Sequence, residues 1–262
     1  MKKKLSVLMA AMALTMAVTG CSKEETTEST NNDGKFVVGF DQNFPPMGFV
    51  GDDGEYTGFD LALAAEVAER MDEELVLQPI DWNAKDAELD AGNIDCIWNG
   101  FTISGREDDY TWTAPYMNNA QVIVVKEDSS YETKEDLAGK TVEVQEDSSA
   151  QKAVEADTEF ASSVTVIKTA DYNTALMELE SGAVDAVVMD EIVANYRITN
   201  KADKFRVLDD KMTAEEYGVG FKKGNEELRD KVQDTLLEMR EDGTLEEISM
   251  EWFGEDITTI GK

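Results

Sequence analysis

The stretch Ile94–Tyr116, IDCIWNGFTISGREDDYTWTAPY, carries more of this chain's meaning than any other. It opens as a short apolar strand, breaks into Asn99, Gly100 and Thr102, and then presents a single arginine, Arg106. An apolar strand ending this way puts backbone donors and a hydroxyl at its carboxyl end, where open α/β sheets bind their ligands. An arginine a few residues on offers a planar fork that matches a carboxylate. Taken alone, Arg106 reads equally well as a surface ion pair, because Glu107, Asp108 and Asp109 follow it.

Outward from this stretch, the chain alternates strand and helix patterns. Phe36–Phe40 is β-rich, and Asp60–Met71 has helical periodicity with Leu61, Ala64, Ala65 and Ala68 on one side. Strands are expected at Leu75–Gln78, Cys96–Trp98, Gln121–Lys126, Thr141–Val144, Val164–Ile167, Ala186–Met189, Phe205–Leu208 and Tyr217–Phe221. Helices are expected at Ala84–Ala91, Lys134–Leu137, Ser149–Ala156, Tyr172–Ser181, Glu191–Thr199, Asn225–Glu241 and Thr244–Trp252, with Gly243 as a C-cap. Repeated βαβ units imply an α/β fold with mainly parallel sheets.

The composition bounds the function. The 262 residues hold 24 Lys+Arg against 56 Asp+Glu, a net charge of −32, so the surface repels phosphate backbones and no nucleic-acid partner is expected. Lys2–Lys4 followed by the apolar run Leu5–Val18 reads as a signal peptide over residues 1–20, too short to span a bilayer comfortably. Val18-Thr19-Gly20-Cys21 matches a bacterial lipobox, which makes Cys21 a lipidation site and anchors the chain to a membrane. Residues 21–34 are polar and low in complexity, a flexible tether ahead of a folded body that begins near Lys35. Cys96 is the one further cysteine and reads as a small core residue, so neither a disulfide nor a metal site is expected, and no cofactor is implied.

Several short segments stand in one order along the chain. They are Gly39-Phe40-Asp41 with Phe44-Pro45-Pro46; Gly58-Phe59-Asp60; Asp81-Trp82; Asp95 through Gly100-Phe101-Thr102-Ile103-Ser104 to Arg106; Asp136-Leu137-Ala138-Gly139-Lys140; Gly182-Ala183-Val184-Asp185-Ala186 with Asp190; Asp242-Gly243-Thr244; and Trp252-Phe253-Gly254. Together they resemble the extracytoplasmic solute-binding proteins of amino-acid ABC importers, in lipoprotein form. The resemblance covers nearly all of Lys35–Glu255.

That resemblance implies a two-lobed periplasmic-binding-protein type 2 fold. Residues 35–118 and 218–262 would form the first lobe and 119–217 the second, joined by two hinge crossings. It implies capture of a polar or basic L-amino acid between the lobes and delivery to an ABC permease, by a monomer tethered outside the cell membrane. Arg106, Thr102 and the helix start at Ser148 and Ser149 would hold the ligand carboxylate. Asp190, the Gly100 carbonyl and the Thr102 hydroxyl would take the ammonium. Phe44 and Trp82 would flank the side chain, Asn99 would shape selectivity, and Asp41 would read a polar or basic far end. Read without the resemblance, Asp190 and Ser148 serve as helix caps, Asp41 as a turn residue, and Phe44 and Trp82 as core.

The chain departs from the family pattern in two places that matter. The Thr102–Arg106 spacing is one residue shorter than usual, and Asp147 stands where glycine is common. Other functions on this fold are a cyclohexadienyl dehydratase-like enzyme, disfavoured by the absence of histidine, and a sensor that presents its ligand to a receptor.

Overall fold

Strand β1 (Lys35–Phe40) is buried from its second residue onward, as expected of a strand covered on both faces. The computed structural model describes residues 34–199 and 203–262. The signal peptide, Cys21 and the tether, apart from Gly34, lie outside the described residues.

The short strands β2 (Asn43–Phe44), β3 (Gly48–Val50) and β4 (Tyr56–Thr57) follow β1, then α1 (Phe59–Arg70), β5 (Glu74–Pro79), α2 (Lys85–Ala91), β6 (Cys96–Ile97), β7 (Thr111–Trp112) and β8 (Met117–Lys126). Next come β9 (Thr141–Gln145), α3 (Ser149–Ala156), α4 (Thr158–Ser163), β10 (Thr165–Thr169), α5 (Tyr172–Ser181), β11 (Ala186–Asp190) and α6 (Glu191–Thr199). The chain closes with β12 (Phe205–Tyr217), β13 (Gly220–Phe221), α7 (Glu226–Asp242) and α8 (Thr244–Phe253).

Two five-stranded sheets form, ordered β5-β1-β6-β13-β7 and β10-β9-β11-β8-β12. Each holds a parallel trio, β5-β1-β6 and β10-β9-β11, extended by antiparallel strands. Each sheet and its covering helices make one lobe. Strands β8 and β12 pair along most of their length and also reach the first lobe, where Met117 bridges Thr258 and Tyr217 bridges Thr102.

The helices bury the faces their spacing dictates. On α7, Val232, Thr235, Leu236 and Met239 are buried at helical intervals, and the helix stops at Gly243 in the left-handed region. On α1, Phe59, Leu63, Ala64 and Val67 are fully buried.

The structure changes several expected elements. The strands expected at Phe205–Leu208 and Tyr217–Phe221 are both present, with different bounds. One strand runs Phe205–Tyr217, and Gly220–Phe221 then enters the other sheet. The polar run Asp209–Glu216 hides this strand in the sequence, because β12 lies at a sheet edge and exposes many of its side chains. Lys134–Leu137 is a 3₁₀ turn closed by a Thr133/Asp136 capping box, too short for an α-helix. The β2-β3-β4 sheet and α4 are further elements without a periodic signal.

Leu63 is fully buried in the main core cluster. Leu63→Ala is expected to lower stability by about 2–5 kcal/mol, read from guanidinium chloride unfolding with little change in the slope.

Candidate functional site

The first lobe's contribution sits at the carboxyl ends of β1 and β6, beside the start of α1. Gly100 follows β6 with φ +57°, and its N–H donates to Asp60 Oδ2 at 2.6 Å. A Cβ at Gly100 would lie 2.9 Å from Phe44 and 3.1 Å from Tyr217, so only glycine fits. Asp60 also accepts from the Tyr116 hydroxyl at 2.9 Å. Burial pushes its carboxyl up to about 7, against these donors, which favour the ionised form.

The shortened segment resolves into a tight turn. The Arg106 N–H donates to the Ile103 carbonyl at 2.9 Å, with Gly105 at φ +76° in the third position. The Arg106 side chain, 3% exposed, stacks over Phe101 and turns into the interface between the lobes. Its Nη1 donates to Ser149 Oγ at 3.0 Å and to the Thr102 carbonyl at 3.3 Å, and its Nη2 to the Asp147 carbonyl at 3.2 Å. Among the described residues no carboxylate lies in ion-pair range of it.

The second lobe contributes the start of α3 and the ends of β11, β8 and β12. Ser148 caps α3 by accepting from the Gln151 N–H at 3.1 Å, which leaves Ser149 facing Arg106. Asp147 adopts φ +57°, and its carboxylate bonds the Lys85 ammonium, a side chain 1% exposed. The charge at the unusual Asp147 is therefore paired with Lys85, while its carbonyl faces Arg106.

Asp190 is buried and accepts from Gln121 and Asn119 at 2.9 Å each, from the Tyr217 hydroxyl at 2.6 Å and from Tyr172 at 3.4 Å. Burial, with Glu215 close by, raises its carboxyl far above the usual range.

A cavity of about 460 Å³ lies at the Asp41 end of the interface, walled by Trp82, Asn43 and the carboxylates of Asp41, Asp81, Glu88, Glu146 and Asp171. Among the described residues no lysine or arginine lines it, and Arg197 stands next to the wall, donating to the Asn43 carbonyl at 3.2 Å within electrostatic reach of Asp171 and Asp41. Asp41 accepts from Asn43 N and, across the interface, from Gln145 Nε2, both at 2.8 Å. The Trp82 indole N–H and both amide atoms of Asn99 are buried without a partner. Phe44 packs against Tyr172 of the other lobe, ring centres 5.9 Å apart.

Asp41, Phe44, Trp82, Asn99, Gly100, Thr102 and Arg106 thus come from one lobe, and Ser148, Ser149 and Asp190 from the other. Sequence reasoning missed Asn119, Gln121, Gln145, Tyr172, Glu215 and Tyr217. Asn119 and Gln121 were findable, as two amides at strand spacing beside the apolar run Val122–Val125. Glu215 is hidden in an acidic run. Cys96 is buried, and burial pushes its thiol up, which suits the small core residue expected there.

Residues 36–255 match the bacterial extracellular solute-binding proteins, family 3, and the chain belongs to that family. The chain is 32% identical over 257 residues to the L-cystine-binding protein TcyJ of Escherichia coli (strain K12), covering 97% of this chain and 96% of that one. It is 31% identical to the arginine-binding extracellular protein ArtP of Bacillus subtilis (strain 168), covering 96% and 98%. A solved substrate-binding protein of an ABC uptake transporter from Streptococcus pneumoniae, with bound histidine, superposes at a TM-score of 0.83 with 35% identity, covering 86% and 95%. The architecture is accordingly the two-lobed periplasmic-binding-protein type 2 fold, and all three of these relatives are binding proteins.

Asp60 gives a pH signature. Its carboxyl holds a proton up to about pH 7 in the fold but loses it near 3.8 when unfolded. Its contribution is therefore complete below the unfolded value and lost as pH rises to 7. Relative to wild type, Asp60→Asn is expected to gain stability between about pH 4 and 7, by up to about 4 kcal/mol, in denaturant unfolding at successive pH values.

Proposed function

We propose that the chain captures a polar or basic L-amino acid between its lobes and delivers it to an ABC importer. The observation that carries this reading is Arg106. A buried guanidinium that spans the lobes on neutral acceptors alone is suited to a ligand carboxylate. Ser149 and the first turn of α3 share that anion, and Asp190 takes the ammonium.

The side chain of the ligand runs between Phe44 and Trp82 toward the carboxylate-lined cavity. Five carboxylates on the wall, with Arg197 the cation beside Asp41 and Asp171, favour a basic far end. The unpartnered amide of Asn99 and indole of Trp82 supply polar contacts along the way. Histidine and arginine bound by relatives agree with this choice, and cystine is the competing ligand that TcyJ brings in.

The first lobe comprises residues 35–118 and 218–262 and the second 119–217, with the hinge at the ends of β8 and β12. Ligand contacts to both lobes stabilise the closed form over the open one. The chain works as a monomer outside the cell membrane, tethered through a lipid on Cys21.

A thermal-shift screen of the twenty amino acids and cystine, followed by calorimetry, tests the reading. Arg106→Ala is expected to weaken every amino-acid ligand by about 100-fold or more, as truncating one side of a buried charge pair does. Full affinity in that variant would sink the carboxylate assignment. Asp41→Asn is expected to weaken arginine more than glutamine, and equal losses would remove the basic-ligand preference.

A further inference from the structure

Asp190 has a second carboxylate beside it, placed there by strand register. On β8, Gln121 lies opposite Asp190 of β11, and Asn119 lies opposite Glu215 of β12. Alternation along a strand puts positions 119 and 121 on one face, so all four side chains converge.

Asn119 Nδ2 donates to Asp190 Oδ1 at 2.9 Å and to Glu215 Oε1 at 2.7 Å. Gln121 Nε2 donates to the same two oxygens, at 2.9 and 2.8 Å. Each amide nitrogen has two hydrogens, so both are fully used holding the two carboxylates side by side. Glu215 is 5% exposed and Asp190 4%.

The groups around the pair leave its charge uncompensated. The Tyr217 and Tyr172 hydroxyls face Asp190 as neutral donors, and burial holds both phenols well above their ordinary range. Arg106 is turned to Ser149, Thr102 and Asp147. Lys152 shares a cavity with Glu215 but donates to the Gly105 carbonyl. On the neighbouring elements, Lys211 pairs with Glu191, and Asp157 with Lys134. Among the described residues no lysine or arginine forms an ion pair with Asp190 or Glu215. Two buried carboxylates this close do not both ionise.

We infer that Glu215 is the second carboxylate of the ammonium site, that its place beside Asp190 keeps a proton on Asp190, and that the ligand's ammonium expels this proton on binding. The inference rests on the amino-acid reading of the cleft. The amino acid arrives with its ammonium already charged. The proton of Asp190 passes to buffer, and the ammonium takes its place between the two carboxylates. All four side chains belong to the second lobe, so the pair is assembled before the lobes close.

Calorimetric titration with L-arginine and with L-cystine near pH 6.5, in buffers of different ionisation enthalpy, counts the protons. Release of about one proton per ligand is expected, with affinity improving by up to about tenfold per pH unit between about pH 5.5 and 7.5. Glu215→Gln keeps an acceptor for both amides. It is expected to bind the same ligand while releasing less than about half as many protons, with a flatter pH dependence. Wild-type binding without proton release overturns the inference and leaves the amino-acid reading standing, and the wild-type series decides this even if the variant does not fold. Undiminished release by Glu215→Gln also overturns it. Failure of the chain to bind any amino acid removes the amino-acid reading, and this inference with it.

Discussion

Arg106 sets the terms on which the two lobes meet. A guanidinium withdrawn from water loses several kcal/mol of hydration unless its donors are satisfied. Here they are satisfied by Ser149 Oγ and by the carbonyls of Thr102 and Asp147, with the Phe101 ring beneath. Two of those acceptors belong to the first turn of α3 and the loop just before it, on the opposite lobe. The cation therefore has its full set of partners only when the lobes are together. Gln145 to Asp41, Asn173 to Asn43 and the Lys85–Asp147 pair reinforce the same approach. None of these contacts cancels the positive charge of Arg106 with a carboxylate of its own. That leaves its charge available to the ligand carboxylate proposed for it.

The crossings between the lobes and the candidate site share residues. Tyr217 ends β12 at the crossing, packs against the glycine that carries the first-lobe loop, and donates to Asp190 of the second lobe. Tyr116, one residue before β8, is bonded to Asp60, which also holds the N–H of Gly100. A rotation at the crossings, on the proposed hinge reading, would move Tyr116 and Tyr217, and through them the two halves of the candidate site. Differential contact in the two arrangements is what lets a small ligand shift the equilibrium between them. The buried state of Asp60 matters here because its proton decides how strongly Gly100 and Tyr116 are held.

Most of the helical frame was legible in the sequence because apolar spacing and glycine stops carry it locally. Tyr172–Ser181 and Glu191–Thr199 occupy the expected residues, and α7 ends at the expected Gly243. Strand β12 was only partly legible, since an edge strand needs no apolar alternation and its partner on β8 lies far away in sequence. The first-lobe loop could be read because the arginine and the glycines stand close together. The carboxylate pair could not, because nothing in Ala214-Glu215-Glu216 separates a buried acid from its exposed neighbour. Only the register of three strands makes that distinction. The Thr102–Arg106 spacing looked like a defect in the motif, but Gly105 turns it into a tight turn that still delivers Arg106 to the interface.

The far wall of the cleft decides which ligand the fixed end can serve. On the proposed reading an α-amino acid would satisfy Arg106 with its carboxylate and the Asp190 side with its ammonium, and this demand is the same for every amino acid. Beyond Trp82, the wall presents Asp41, Asp81, Glu88, Glu146 and Asp171. A ligand whose far end is a lone carboxylate, as glutamate's is, would bring a like charge into that field, whereas the far end of cystine brings an ammonium together with its carboxylate. Like charges at short range in a partly buried site cost several kcal/mol, enough to offset the added contacts of a longer ligand. A guanidinium or ammonium at the same position would neutralise part of the wall. Burial raises the Asp41 carboxyl, and a cation beside it would restore its charge. Discrimination at the proposed site would follow from repulsion as much as from attraction.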